Sequence, residues 1–340
     1  MLRAIALALV VATTAAACAT PEPQPDPGPP WREGELFEGR RRLEASAAVL
    51  GTRIVVYGGF TTSDREVPRL AITNEVLAYN TLTGTWDVMP PAPVAWTHAG
   101  LAGVGGTLFL LGGLEGEQFA ARGEVFALAP GALEWTARAS MPDGLARGAA
   151  AIVATQGNVY VLGGATTDGV TATCLVYSIA TDTWMQLPDL PVARSHAAAM
   201  RVEDGTLIVA GGVGALGQPL GDVYALTLQI TPDPPVWQIR EPMPTARGGC
   251  AYGTVFGQLV CAGGESGATA LRVVEMYDPT LNTWTDLPAL PAERAGASGG
   301  VAAQRLHVVG GSASLMFEPT SSLFVFNLLD TIDTARLGSR

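Results

Sequence analysis

Short apolar runs that end in a pair of glycines recur along the chain. Such a run followed by two glycines predicts a β-strand that ends in a sharp turn. The first glycines of the six pairs are Gly58, Gly112, Gly163, Gly211, Gly263 and Gly310. They are 47 to 54 residues apart. A period of this size predicts a repeat architecture in which one unit forms one small sheet.

Each unit carries further signals at fixed places. A run of small residues and a tight turn precede the apolar run, and after the glycines come a variable loop, a third run with an aromatic residue and a fourth that opens with Trp. The third-run aromatics are Tyr79, Phe126, Tyr177, Tyr224, Tyr277 and Phe324, and the tryptophans are Trp86, Trp135, Trp184, Trp237 and Trp284. The pattern predicts four strands per unit, with large apolar side chains between neighbouring units.

These six units resemble the Kelch-repeat family over residues 31 to about 328. The resemblance implies an all-β fold, a six-bladed β-propeller of four-stranded antiparallel blades. The sixth unit has no Trp, but Trp31 precedes the first glycine pair by 27 residues, and the other steps are 26 to 28. We therefore predict that the N-terminal strand is the outer strand of the last blade, paired with residues 323–327, and closes the ring.

The first thirty residues predict export. A positive start and an apolar run over residues 4–12 predict a signal peptide at 1–17, since the run is too short to span a bilayer. The segment ending at Cys18 fits ordinary cleavage and also resembles a bacterial lipobox, with Cys18 lipid-modified. Six prolines within residues 19–30 predict an extended tether and favour the anchored form. We expect a lipoprotein of the cell envelope, at the outer membrane, the cell surface or in the periplasm, with residues 18–30 as anchor and tether, 31–328 as propeller and 329–340 as tail.

The net charge of −11 excludes a general nucleic-acid binder, because such proteins need a basic surface. The sequence contains no metal-binding or phosphate-binding motif, so no cofactor is predicted. His98 and His196 occupy equivalent places in their units, and symmetry should separate them by two blades. We therefore expect structural roles for both, and no metal site.

Basic residues stand 16 or 17 residues before five of the six glycine pairs, and a tryptophan takes that place in the second unit. They are Arg42, Trp96, Arg147, Arg194, Arg247 and Arg294. Symmetry should bring them near one rim of a central channel. One hypothesis makes them a cationic collar that binds an acidic ligand. The alternative is that each arginine braces the turn between blades.

One stretch carries enzyme-like residues, Glu265 and Arg272, just after the fifth glycine pair. Their placement resembles exported sialic-acid mutarotases of the Kelch type. The resemblance implies a carbohydrate isomerase with Glu265 as proton donor and acceptor and Arg272 as carboxylate clamp.

The cysteines pose a separate question. Cys250 and Cys261 should lie on adjacent strands, and a turn counted at Gly257-Gln258 would set Cys261 opposite Thr254. This register favours free thiols over a disulfide.

Variable loops on a rigid scaffold are the usual site of function. The face built from the post-glycine loops and the Pro-rich crossovers is therefore the expected binding surface. The first hypothesis is a non-catalytic binding or scaffolding module that recognises a protein or a glycan, with membrane contact through the lipid anchor only. The alternatives are the carbohydrate isomerase and a structural subunit of a surface assembly.

Overall fold

The computed structural model describes residues 30–34, 38, 40–62, 70–228 and 234–329. These residues form six four-stranded antiparallel sheets. Each innermost strand lies beside the innermost strands of two other sheets, and the last lies beside the first. The protein is therefore a six-bladed β-propeller, as predicted. Along the described part of the chain, no helix is long and apolar enough to cross a membrane.

The blades are listed from the innermost to the outermost strand. Blade 1 contains β2 (Ser46–Leu50), β3 (Arg53–Tyr57), β6 (Val76–Asn80) and β7 (Thr85–Met89). Blade 2 contains β8 (Gly100–Val104), β9 (Thr107–Glu115), β10 (Ala120–Leu128) and β11 (Thr136–Arg138). Blade 3 contains β12 (Ala151–Ala154), β13 (Asn158–Leu162), β16 (Cys174–Ser178) and β17 (Thr183–Leu187). Blade 4 contains β18 (Ala198–Arg201), β19 (Leu207–Ala210), β20 (Val223–Leu226) and β21 (Gln238–Arg240). Blade 5 contains β22 (Ala251–Val255), β23 (Gln258–Ala262), β26 (Val274–Asp278) and β27 (Thr283–Leu287). Blade 6 contains β28 (Ser298–Ala302), β29 (Arg305–Val309), β30 (Leu323–Asn327) and β1 (Trp31–Glu33).

The N-terminal strand closes the ring, as predicted. β1 pairs antiparallel with β30, and Trp31 lies opposite Phe326. The Trp31 indole N–H donates to the Pro288 carbonyl at 2.9 Å, in the crossover that follows blade 5. Trp184 makes the equivalent bond to Ala139 after blade 2, at 2.8 Å. The tryptophan of an outer strand thus ties its blade to the preceding one, and Trp31 performs this role for blade 6.

The core lies between the blades. Each blade packs on both of its faces, so its second strand is apolar throughout, and β13 is buried from Val159 to Leu162. One buried cluster joins Leu162 and Cys174 of blade 3 to Val209 and Tyr224 of blade 4. Burial on both sides explains why the sequence shows continuous apolar runs here instead of strict alternation.

The glycine pair of blade 3 shows why the doublets recur. Gly163 and Gly164 have φ angles of +63° and +120°, which side chains rarely adopt. A Cβ on Gly163 would lie 2.6 Å from the carbonyl oxygen of Arg194, at the start of blade 4. The N–H of Gly164 donates to that same carbonyl at 2.8 Å. The pair therefore turns the chain and lets the next blade approach.

Three small hairpins follow glycine pairs: β4 (Phe60–Thr62) with β5 (Leu70–Ile72), β14 (Ala165–Thr166) with β15 (Gly169–Val170), and β24 (Glu265–Ser266) with β25 (Thr269–Ala270). Backbone bridges such as Gly148 to Ala165 join the post-glycine segments to the crossovers. We call the end of the propeller that these segments and crossovers build the hairpin face. Its composition is the one predicted from the sequence.

The register predicted for the cysteines is wrong. Val255 pairs with Gln258, so the turn lies one residue earlier than counted, and Cys261 pairs with Tyr252. This register brings Cys250 and Cys261 to a Cα separation of 5.7 Å, and a disulfide joins them. Cys174 is a free, buried thiol. The predicted signal peptide, Cys18 and nearly all of the tether lie outside the described residues, as does the tail from residue 330.

Candidate functional site

Six equivalent residues form a ring around the channel at the hairpin face. Each has a left-handed backbone, with φ between 50° and 64°, immediately before an innermost strand. Main-chain N–H groups donate around the ring, for example from His98 to Glu44 at 3.1 Å and from His196 to Ala149 at 2.8 Å. We call these residues the axial ring: Glu44, His98, Ala149, His196, Gly249 and Gly296. The hydrogen bonds hold all six positions close to the axis.

Three side chains of the axial ring meet. Glu44 Oε2 lies 3.3 Å from His98 Nε2 and 4.0 Å from His196 Nε2. The two imidazole rings are 5.1 Å apart between centroids and nearly perpendicular. The expectation that two blades of separation would keep the histidines apart is therefore wrong. At the axis the blades converge, and a ring closed by single hydrogen bonds is narrow enough for its side chains to touch across it.

Burial shapes the electrostatics of this cluster. It lowers the pKa of His98 well below the ordinary value, and nearby His196 lowers it further. Burial raises the pKa of Glu44, an effect that His196 opposes. The pKa of Glu265 is raised by burial and then by the charge of Glu44, with His196 again acting in the opposite direction. The candidate residue Glu265 thus interacts electrostatically with the same cluster.

The structure does not bring the proposed catalytic pair together. Glu265 is partly buried, and its backbone bridges Gly248 beside the axial ring. Arg272 is exposed beyond β25, and among the described residues no ion pair joins it to Glu265. The isomerase role of these two residues stays a prediction.

The channel below the ring is a cavity of about 500 Å³. Its walls are the innermost strands, whose small residues include Ala48, Gly103, Ala150 and Gly253. The blades come closest here, so there is room only for small side chains. Tyr252 is the large exception among the wall residues of blade 5.

The arginines do not form a free cationic collar. The five side chains are buried, with exposed fractions of 0 to 6%, and they lie outside the channel wall. Arg147 donates to the carbonyls of Gly163 at 3.3 Å and Thr173 at 2.7 Å, both in blade 3. Arg194 bonds the corresponding carbonyls of Gly211 and Asp222 in blade 4. These contacts match the alternative hypothesis, an internal brace.

The other members of the set are also used inside the fold. Arg247 Nη1 lies 2.5 Å from Glu275 Oε2, and both side chains are buried. Arg294 lies over the Phe324 ring at 4.6 Å. Arg42 bonds Glu75 at 2.5 Å. Trp96 is 1% exposed and fills the equivalent place with apolar surface. A buried guanidinium needs such partners, because an unpaired buried charge is costly.

The hairpin face carries an aromatic patch that the sequence analysis missed. Phe60 contacts Phe119 and Phe317 edge to face, with centroids 6.1 and 6.0 Å apart. Phe119 in turn contacts His98 of the axial ring, at 5.9 Å. Phe317 is 52% exposed and the adjacent Met316 is 77% exposed. Because these residues lie in variable loops without a repeated place, no periodic signal could have identified them.

A depression of about 510 Å³ lies beside the patch, between the loops of blades 6 and 1. Leu70, Phe317 and Pro319 provide apolar walls, while Arg41 and Glu318 add charge. We call the exposed residues around it, Leu70, Phe119, Met316 and Phe317, together with Phe60 beneath them, the aromatic patch.

Comparison with known proteins gives consistent relatives. The family model described as "KLHDC2/KLHL20/DRC7 Kelch-repeats domain" matches residues 149–332, and the "Kelch motif" model matches residues 41–93. The chain is 33% identical over 285 residues to "Kelch-like protein terF" of Aspergillus terreus, covering 79% of this chain and 61% of that protein. It is 32% identical over 139 residues to human "Kelch-like protein 33", covering 41% and 26%.

A further relative is the "Influenza virus NS1A-binding protein homolog" of Xenopus laevis, which is 35% identical over 88 residues, covering 26% of this chain and 14% of the relative. The chain thus spans less than two thirds of the length of these relatives. The first family model matches more than half of the 340 residues, in register with the blades observed here. The chain therefore belongs to the Kelch-repeat family.

Proposed function

We propose that this propeller is a binding or scaffolding module that recognises a protein partner through the aromatic patch of the hairpin face. The observation that carries the proposal is the contact of Phe60 with both Phe119 and Phe317, which joins the loops of blades 2, 1 and 6. Exposed apolar surface that spans several loops marks an interaction site. Aromatic residues and Met are enriched at protein interfaces and supply much of their binding energy.

The chemistry of the patch favours a protein over a sugar. The exposed side chains of Leu70 and Met316 offer apolar contact without hydrogen-bonding groups, and Arg41 and Glu318 flank them with both signs of charge. A peptide segment with apolar residues and flanking charges complements such a surface. The printed name of one relative also describes the binding of a protein.

The patch can be tested without adding backbone strain. Phe119 and Phe317 both have φ of +53°, and Asn tolerates this conformation better than most residues. Phe256 is a matched control, because it is 51% exposed with φ of +47° but lies in the β22–β23 turn at the opposite end of the blade.

The experiment places a photo-crosslinking residue at position 317, or at 256 as control, in the producing cells and identifies the captured protein. Binding of that purified protein is then compared between wild type and Phe119→Asn/Phe317→Asn. We expect a loss of affinity of about 100-fold or more for the double variant and little change for Phe256→Asn. Equal crosslinking from both positions, or equal affinity of both variants, would contradict the proposal. Binding of glycans alone would replace the protein partner by a sugar.

We also propose that the protein acts at the bacterial cell envelope, held by a lipid on Cys18. The Cys250–Cys261 disulfide supports export, since disulfides persist in oxidising compartments. Incorporation of labelled palmitate tests the anchor: the wild type should be labelled and Cys18→Ser should not. Label retained in Cys18→Ser, or no label in the wild type, would contradict lipidation while leaving the binding proposal intact.

A further inference from the structure

We propose that Glu44, His98 and His196 form a binding site for a divalent transition-metal ion at the hairpin-face mouth of the channel. One carboxylate and two imidazoles are a ligand set that suits Zn²⁺ and related first-row ions. The three residues come from blades 1, 2 and 4, so the folded ring alone creates the site. This inference goes beyond the proposed protein binding and does not depend on it.

The donor atoms are close to coordination geometry. One ligand atom from each of the three residues can be chosen so that all lie within 4.8 Å of one another. Ligands held about 2.0–2.1 Å from a tetrahedral ion are roughly 3.4 Å apart. Glu44 Oε2 and His98 Nε2 are already 3.3 Å apart. The distance of 4.0 Å from Glu44 Oε2 to His196 Nε2 requires only a small side-chain rotation.

A second layer of hydrogen bonds orients both imidazoles. His98 Nδ1 lies 2.7 Å from Thr97 Oγ1, and His196 Nδ1 lies 2.9 Å from Ser195 Oγ. A hydroxyl on the preceding residue thus engages Nδ1 in both cases and leaves Nε2 directed at Glu44. Metal-binding histidines characteristically use their second ring nitrogen in this way, which fixes the tautomer and the ring orientation.

The backbone and the surroundings also suit an ion. The axial-ring hydrogen bonds fix the Cα positions, so little ordering is needed when an ion binds. The side chains of His98, Glu44 and His196 are only 9, 22 and 22% exposed, and Phe119 lies against His98. Three protein ligands leave a fourth coordination position for water or a ligand atom. Glu265, which interacts electrostatically with Glu44 and His196, is near enough to affect that position.

The test measures Zn²⁺ binding to the purified, chelator-treated chain by titration calorimetry, with Co²⁺ absorption as a report on coordination geometry. The ligand variants are Glu44→Gln, His98→Asn and His196→Asn. Asn is chosen because both histidines have a left-handed backbone, with φ of 54° and 55°. Glu117→Gln, an exposed carboxylate in the blade 2 hairpin, is the matched control.

We expect one Zn²⁺ per chain, a Zn²⁺-dependent rise in melting temperature, and affinity at least 100-fold weaker in each histidine variant. Glu117→Gln should bind as the wild type does. Thr97→Val and Ser195→Ala should weaken binding by about tenfold or more through loss of the orienting hydroxyl. Melting of the metal-free variants separates loss of the site from loss of the fold.

Three outcomes would overturn the site. These are Zn²⁺ binding that is equal in the histidine variants and the wild type, no saturable binding by a wild type that melts cooperatively, and a Co²⁺ spectrum unchanged by His98→Asn. The last result would place the ion elsewhere on the chain. The cluster would then be a hydrogen-bonded carboxylate–imidazole group only.

Discussion

The hydroxyl of Tyr252 is hydrogen-bonded to both main-chain polar groups of Ile152, across the central channel. It accepts from the Ile152 N–H at 3.0 Å and donates to the Ile152 carbonyl at 3.3 Å. Tyr252 belongs to β22 of blade 5 and Ile152 to β12 of blade 3, so the bond links two blades that are not neighbours. Burial raises the pKa of Tyr252, which keeps the hydroxyl protonated and able to donate.

Tyr252→Phe should destabilise the propeller by about 1 kcal/mol, because two main-chain groups of Ile152 lose their partner. Chemical denaturation of both proteins measures the change in free energy of unfolding. Tyr160→Phe is the control, since it removes a hydroxyl from the second strand of blade 3 and not from the channel wall. An equal effect of the two substitutions would show that the link across the channel adds nothing.

Trp31→Ala should destabilise the propeller by about 3–5 kcal/mol, the usual cost of truncating a buried aromatic side chain. Trp31 is 7% exposed, stacks on Phe326 with centroids 4.9 Å apart and bonds Pro288. Thermal melting provides the measurement, and Leu133→Ala, at a site 84% exposed, provides the control.

Deletion of residues 31–37 removes the closing strand entirely and should lower the melting temperature by many degrees. The physical reason is that β30 would become an open edge. An unchanged melting temperature would contradict closure of the ring by this strand.

Gly163→Ala should cost about 2 kcal/mol or more, since a left-handed backbone costs a side chain about 1–2 kcal/mol and the Arg194 carbonyl blocks the Cβ. Two control substitutions separate these causes. Gly144 has φ of +76° with open space around it, and Gly157 is also open and lacks a positive φ. The predicted order of destabilisation is Gly163→Ala, then Gly144→Ala, then Gly157→Ala. A loss at Gly163 no larger than that at Gly144 would show that close approach of blade 4 does not matter.

His307 should make stability depend on pH. Burial in β29 lowers its pKa to about 4, from 6.5 in the unfolded chain. The unfolded state therefore takes up the proton first as the pH falls. The neutral ring's contribution is fully present above pH 6.5 and is lost as the pH falls through about 4. The lost stability amounts to roughly 3 kcal/mol.

Denaturant unfolding of the wild type and of His307→Gln at pH 7.5 and 4.5 measures this effect. The wild type should lose more stability than the variant over that interval. Other titrating groups, His98 among them, are present in both proteins and do not contribute to the difference. Parallel losses in the two proteins would rule out His307 as the source.

The repeat made much of the fold readable from the sequence. Each unit marks its own second strand with a glycine pair and its outer strand with a Trp, and these local marks repeat in phase. Trp31 could be assigned to the last blade because its spacing to the first glycine pair equals that of the other units. The hairpin face followed from the same alternation of strands and connections.

Errors arose where the outcome depended on distance and not on sequence order. A shift of one residue in the β22–β23 turn decided between a disulfide and two free thiols. The arginines were correctly placed before their blades, but their side chains turn inward to backbone carbonyls of the same blade. Sequence spacing does not state which way a long side chain points.

The sequence by itself determined the number of blades, their strand order and the closure of the ring, because local signals with a fixed period specify each of them. Only the tertiary structure decided that Glu44, His98 and His196 meet, although 152 residues separate the first from the last. A closed ring brings equivalent positions of all blades to one axis, and the side chains that meet there depend on its radius. The periodicity of the sequence carries no measure of that radius.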